Sequence, residues 1–229
     1  MYENKTFLAI IPARGGSKRL PRKNILDLNG KPLIAWSILA GLKSQYIDKV
    51  IVTSDDDEIL EISEKLGVTI IKRPNELASD TASTFDTVKH VLENVKDYDY
   101  VILLQPTSPL REEKHIDSAI DSLMQKQVDA IISVCEVDHS PLWSNTLPEN
   151  GSLVNFLKKE VLNKRSQDIE KYYRISGAIY ICKRENLLRE KSFFLKENII
   201  SFKMDRKSSI DIDEKIDFEL AQIYLKERV

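Results

Sequence analysis

Arg14, Lys18, Arg19, Arg22 and Lys23 crowd into one short stretch with Gly15 and Gly16, directly after the apolar residues 7–11 and Pro12. Glycines let backbone amides approach a ligand closely, and Arg and Lys supply the positive field that a polyphosphate needs. A basic turn is commonly no more than a solvated surface. Its position here, opening from a buried strand near the start of an alternating chain, favours a nucleotide loop, because α/β sheets bind nucleotides at such strand ends. Two familiar signatures are missing. No G-x-G-x-x-G follows the first strand, so a dinucleotide site is not expected; Gly30-Lys31 runs into Pro32 and lacks the metal-binding hydroxyl of a P-loop.

A second constellation is Ser208-Ser209-Ile210-Asp211-Ile212-Asp213. In an extended segment alternate residues share a face, so Asp211 and Asp213 together suit one hard cation such as Mg²⁺, which takes one or two carboxylates plus waters and phosphates. The competing reading is structural: Asp213 precedes Glu214 where a helix N-cap belongs. A third is Gln105-Pro106-Thr107-Ser108-Pro109-Leu110-Arg111, a proline-stiffened polar loop at a strand end, in which Ser108 is also placed to cap the next helix. The loop 73–84 is similarly polar. His90, His115 and His139 are far apart without ligand spacing, and neither cysteine lies in a nucleophile motif. Chemistry without a protein nucleophile fits a direct displacement driven by positioning and cations.

The elements that must hold these residues alternate between apolar strands and amphipathic helices, which predicts a parallel or mixed sheet covered on both faces. Strands are expected at 7–11, 49–53, 68–71, 100–104, 130–134, 178–182 and 199–202. Pro32 opens a helix with a stripe of Ile34, Ile38 and Leu42. Asp55 or Asp56 caps the helix carrying Ile59, Ile62 and Leu66, and Gly67 stops it. Further helices are expected from Thr84 to Val95, up to about Lys126, and over 214–226. From 138 to 172 the alternation fails, and Pro141, Pro148 and Asn150-Gly151 suggest loops and a hairpin.

With 229 residues the chain suits one α/β domain with an insertion. Thirty-four basic against 36 acidic residues give a net charge of −2, less basic than a nucleic-acid binder, so the N-terminal cations read as local. No apolar run approaches membrane-spanning length and the first residues do not resemble a signal peptide. Cys135 and Cys182 sit in apolar runs as buried thiols rather than a bridge. A cytoplasmic protein without a nucleic-acid or membrane partner is expected.

Residues 11–18 (Ile-Pro-Ala-Arg-Gly-Gly-Ser-Lys), Arg73-Pro74, residues 77–81 (Leu-Ala-Ser-Asp-Thr), residues 104–111 (Leu-Gln-Pro-Thr-Ser-Pro-Leu-Arg), Gly177-Ala178-Ile179-Tyr180 and Asp211-Ile212-Asp213 occur in that order. Together they resemble the acylneuraminate cytidylyltransferases, also called CMP-sialic acid synthetases, over essentially the whole chain. The resemblance implies a Rossmann-like α/β fold with a mixed, mostly parallel sheet, helices on both faces and a small dimerisation subdomain, formed by about 138–172 with 186–198. It implies that CTP and a nine-carbon 2-keto acid sugar react to give the CMP-sugar and pyrophosphate, with Mg²⁺ as cofactor, in a homodimer. By the same resemblance Arg14, Lys18, Lys23 and Asp211 are catalytic. Ala13, Arg14, Gly15, Ser17, Asn24, Arg73, Ala82 and Thr84 bind the nucleotide. Gln105, Arg165, Ser176, Tyr180, Phe193 and Phe194 meet the sugar, the Phe193-Phe194 pair reaching from one subunit toward the other's sugar, and Asp211 and Asp213 hold the metal.

The chain departs from the family around the sugar. Ser176 stands where members commonly have Asn, Trp143 where some have a lysine reaching across the dimer, and residues 165–168 align with the family's Arg-Gln element in two registers. Sialic, legionaminic and pseudaminic acid are therefore all candidate acceptors. A synthetase for the eight-carbon acid Kdo is a rival, against which residues 106–111 and 211–213 argue. A non-catalytic sensing module would be expected to lose the basic loop or the carboxylate pair, and both are present.

Overall fold

The computed structural model describes residues 2–79 and 81–227; Asp80, part of the 77–81 motif, lies outside them. The chain builds a seven-stranded sheet from β1 (Phe7–Pro12), β2 (Lys49–Ser54), β3 (Thr69–Lys72), β4 (Tyr100–Leu103), β5 (Ala130–Glu136), β6 (Tyr173–Lys183) and β7 (Ile199–Lys203), in the order β3-β2-β1-β4-β6-β5-β7. All pairings are parallel except those of β6, which runs against both β4 and β5. The strand order reverses beside β1: β2 and β3 lie on one side of it and β4 on the other. A crevice therefore opens at the carboxyl ends of β1 and β4, where open α/β sheets take ligands.

β1 is apolar on both faces because both are covered. Phe7, Ala9 and Ile11 enter one core cluster with Ile34 and Ile38 of α1 (Leu33–Lys43) and Ile116 and Ile120 of α4 (Glu113–Gln125). Leu8 and Ile10 enter the other, with Val88 and Val91 of α3 (Thr84–Glu93) and Leu187 of α5 (Arg184–Glu190). Each such fully buried side chain contributes about 1.5–3 kcal/mol. Leu42, expected on the buried stripe of α1, is 46% exposed, while its neighbours Ala40 and Gly41 in the same last turn are buried. α6 (Lys215–Lys226) docks through Ala221 and Leu225 onto Leu28, Leu110 and Ile212.

One local expectation is settled between its two alternatives, and two others are corrected. Asp56, not Asp55, caps α2 (Asp57–Lys65), accepting from the Glu58 and Ile59 amides. α6 is capped by Glu214 in a capping box with Asp217, leaving the Asp213 carboxylate for other partners. α4 is capped by Glu112 with His115, while the hydroxyl of Ser108 is buried without a partner.

β6 starts at Tyr173, earlier than its apolar half at 178–182 suggests. Between its two halves it bulges: β6 advances from Ile175 to Tyr180 while β5 advances only from Ile132 to Val134. The Ser133 hydroxyl fills the gap, accepting from Ser176 Oγ at 2.6 Å and the Ile179 amide at 2.8 Å and donating to the Ile179 carbonyl at 3.0 Å. Residues 138–172 form no hairpin; they carry two short 3-10 turns, Pro141–Trp143 and Ser166–Asp168, and expose Leu147, Leu153, Val154 and Leu162. Residues 186–198 pack on the main sheet through Leu187, Phe193 and Leu195. Among the described residues no helix is long and apolar enough to cross a membrane.

Candidate active site

The basic loop leaves β1 at the crevice and is held by its own backbone. Ala13 is buried and donates its amide to the Thr53 carbonyl at the end of β2. Asn24, also buried, donates from Nδ2 to the Arg14 carbonyl at 2.9 Å and so closes the loop on itself. Arg22 adopts a left-handed backbone (φ 57°) that starts the 3-10 turn Lys23–Ile25, and its guanidinium pairs with Asp56 at 2.6 Å and with Glu58. Gly15 lies so close to α2 that a Cβ there would stand 2.5 Å from Asp56 Oδ2, which explains glycine at that position.

These constraints form a cleft of about 350 Å³ whose wall includes Arg14, Ser17, Lys23, Asn24, Arg73, Ala82, Thr84 and Gln105. Among the described residues no carboxylate lines it, and its cations present positive charge to a ligand. Arg73 is 6% exposed. Burial pulls its pKa down, and the nearby Asp55 carboxylate opposes that by favouring the charged form. Lys18 is exposed on the outer turn of the loop and lies outside the cleft wall, as do Ala13 and Gly15.

The carboxylate pair lies on the segment between the 3-10 turn Lys207–Ser209 and α6. The Ile212 amide donates to the Thr107 carbonyl at 2.8 Å, tying this segment to the loop after β4. Lys23 reaches it from the basic loop, donating to the Ile212 carbonyl and lying 3.5 Å from Asp213 Oδ1. Arg19 pairs with the other Asp213 oxygen at 3.2 Å. Asp211 Oδ1 is buried with no hydrogen-bond partner. Burial pushes the Asp211 pKa up; Thr107, Lys23 and Arg174 oppose it and Asp213 reinforces it. An orphaned carboxylate oxygen beside a second carboxylate fits a divalent cation, which would satisfy both. Among the described residues no group of three or more acidic, His or Cys ligands exists, so the remaining coordination would come from water and phosphate oxygens.

A second cleft of about 290 Å³ adjoins the first, since Thr84 and Gln105 line both. Its wall carries Tyr180, Phe193 and Phe194, with the Tyr180 ring 5.9 Å from Phe193 and 6.3 Å from Phe194. Phe193 is buried, whereas Phe194 is 54% exposed. Lys191, in a left-handed conformation at the end of α5, turns this pair back toward the sheet. Burial and the Asp211 charge raise the Tyr180 pKa, keeping the phenol neutral. At the junction, Gly177 (φ 80°) sits where a Cβ would come within 2.8 Å of Gln105 Oε1 and 3.7 Å of Asp211 Oδ2.

Two expected sugar contacts are not brought to either cleft. Ser176 is 1% exposed and gives its hydroxyl to Ser133 inside the bulge. Arg165 projects from the 138–172 excursion and pairs with Asp168 at 2.9 Å. Sequence reasoning missed two contributors. Thr107 supports Asp211, and Asp55, placed beside the loop by β2, accepts the Gly15 amide at 3.2 Å. Only local capping rules could flag Asp55, and they do not separate it from Asp56.

Known proteins share this architecture. A solved structure of CMP:2-keto-3-deoxy-manno-octonic acid synthetase complexed with CTP superposes with a TM-score of 0.75 over 98% of this chain and 100% of that one, at 19% identity, a likeness of fold. The chain is 39% identical to the N-acylneuraminate cytidylyltransferase of Escherichia coli O18:K1:H7 over 93% of its own length. It spans about half the length of that relative (51%). It is 37% identical to the pseudaminic acid cytidylyltransferase of Campylobacter jejuni serotype O:23/36 (strain 81-176), covering 96% of each chain. The cytidylyltransferase family matches residues 8–228. The chain belongs to the cytidylyltransferase family.

Proposed function

We propose that this chain transfers CMP from CTP to the anomeric hydroxyl of a nine-carbon 2-keto acid sugar, sialic acid or a bacterial relative, and releases pyrophosphate. The observation that carries this reading is the junction at Gln105: a basic cleft and an aromatic cleft meet there, with Asp211 beside Gly177. The names of the Escherichia coli and Campylobacter jejuni relatives support the acceptor class.

In this reading Arg14, Lys23 and Arg73 hold the triphosphate, with Ser17, the Gly15 loop backbone and Lys18 around it, and Asn24, Ala82 and Thr84 frame the nucleoside. Tyr180, Phe193 and Phe194 pack against the sugar, and Gln105 orients it by hydrogen bonding. The sugar hydroxyl loses its proton and attacks the α-phosphorus, and the bond to pyrophosphate breaks in line. Negative charge grows on the departing oxygens, where Arg14 and Lys23 are already aimed and need no reorganisation. Mg²⁺ held by Asp211 and Asp213 would supply further charge to the phosphates.

The reading includes a homodimer in which residues 138–172 of a second copy, Arg165 among them, approach the sugar cleft; the exposed Leu147, Leu153, Val154 and Leu162 support it. It also includes a cytoplasmic setting, supported by the two free thiols.

The test is pyrophosphate release by the purified protein with CTP and Mg²⁺ across N-acetylneuraminic, legionaminic and pseudaminic acids and Kdo, with ATP, GTP and UTP as controls. CTP-dependent release with one nine-carbon acid is expected. Failure to bind CTP, or release with Kdo alone, overturns the reading.

A further inference from the structure

Two adjacent acids end the region after β2, and the structure divides their work. Asp56 is spent on its own helix and on Arg22. Asp55 turns the other way, and one of its oxygens serves two partners. Oδ1 accepts the Gly15 amide at 3.2 Å and stands 3.7 Å from Arg73 Nη2. The Asp55 side chain is 20% exposed and that of Arg73 5%, so this ion pair is screened far less than a surface pair. Arg73 has little else: Nη1 makes a long contact of 3.4 Å to Thr87 Oγ1, and Nε has no partner. Asp55 does not line the basic cleft, whereas Arg73 does.

A buried guanidinium without a counter-charge is costly, and a glycine loop without an anchor must be ordered when its ligand arrives. One carboxylate addresses both problems. Its oxygen links the backbone of the loop after β1 to a side chain beyond β3, two walls of the cleft. On the α2 side Asp56 stands where a Cβ at Gly15 would project.

We propose that Asp55 is a positioning residue for the nucleotide, setting the Gly15 loop and the Arg73 guanidinium in register before the phosphates bind. This rests on the CTP-binding reading of the same cleft. Asp55 itself touches no substrate, so its removal acts on nucleotide affinity and leaves the acceptor alone.

The test measures CTP binding to the full chain by calorimetry, together with steady-state kinetics and melting temperature. Asp55→Ala should weaken CTP binding and raise its KM about tenfold or more, with the KM for the acid sugar and kcat each within about threefold. Asp55→Asn keeps an oxygen for the Gly15 amide but removes the counter-charge, and should recover part of the loss. In an Arg73→Ala background the effect of Asp55→Ala should shrink severalfold, the mark of two groups acting together. Unchanged CTP affinity in a folded Asp55→Ala protein overturns the proposal, as does a uniform loss across CTP, sugar and kcat. Should Asp55→Ala not fold, Asp55→Asn decides, with wild-type affinity overturning the proposal. If wild-type protein itself does not bind CTP, the fault lies in the reading of the cleft.

Discussion

The Lys23 ammonium lies 3.5 Å from Asp213 Oδ1, bridging 190 positions of the chain. This contact joins the basic loop to the carboxylate pair, the two features that polyphosphate chemistry needs in one place. Lys23 is 11% exposed in its side chain and Asp213 46%, so the lysine is the more deeply buried partner. Lys23→Ala should lower kcat roughly 10²–10³-fold, the loss expected for one preorganised electrostatic donor. Initial rates of pyrophosphate release on the folded variant measure it, and full activity would remove Lys23 from the assignment.

Asp211 should show itself in metal dependence. Asp211→Ala removes the carboxylate whose Oδ1 has no partner among the described residues, so activity should fall and added Mg²⁺ restore it only in part. A Mg²⁺ titration superimposable on wild type would refute the metal role.

Gly177→Ala should separate stability from acceptor handling. The left-handed backbone costs an added Cβ about 1–2 kcal/mol. That lowers the melting temperature by about 2–4 °C per kcal/mol in a domain of this size. The new methyl also meets Gln105 Oε1, the movable end of that side chain, so the amide must swing aside. The KM for the acid sugar should rise roughly tenfold while that for CTP stays near wild type. Equal changes in both would show that the bulge serves the whole crevice instead.

At the opposite end of the sheet, Asp99 accepts from the Thr6 amide at 3.0 Å, the Thr6 hydroxyl at 2.9 Å and Lys5 Nζ at 3.0 Å, stapling the starts of β1 and β4. The Thr6 amide, with lesser help from Lys5 and the Thr6 hydroxyl, outweighs burial and holds the Asp99 pKa below its ordinary value. A carboxyl with a lowered folded pKa stabilises fully above its unfolded pKa of about 3.9 and loses that contribution as pH falls through the folded value. Asp99→Asn should therefore cost about 1 kcal/mol at pH 7. The gap in melting temperature should close under acid, below about pH 4. A gap that does not narrow at all as the pH is lowered through the acid range would assign the effect to packing rather than charge.

Much of the site is legible because chemistry changes abruptly along the chain. Apolar strands run into Arg14, Arg73 and Gln105 at successive ends, and parallel strands bring those ends to one edge. What escapes reading depends on the third dimension. Tyr173, Arg174 and Ile175 are exposed in the first half of β6, so no burial period marks them as a strand. The reversed direction of β6 leaves no trace in an apolar run covered on both faces. Ser176 looks like a ligand contact in the one-dimensional motif and faces Ser133 in the fold, because the bulge turns it inward. Asp55 and Asp56 are equivalent as helix caps and become distinct only when Gly15 and Arg73 arrive from elsewhere.

Because β6 alone runs against its neighbours, it delivers its beginning, not its end, to the crevice. The described residues on the wall of the basic cleft all precede position 108, whereas the second cleft joins Ser83, Phe85 and Leu103 of that stretch to Tyr180, Lys191, Phe193 and Phe194, which arrive after the long 138–172 excursion has rejoined the sheet. The second cleft thus shares the early stretch with the first and adds a later one of its own. Changes at Tyr180, Phe193 or Phe194 reshape the second cleft without altering a residue on the wall of the first.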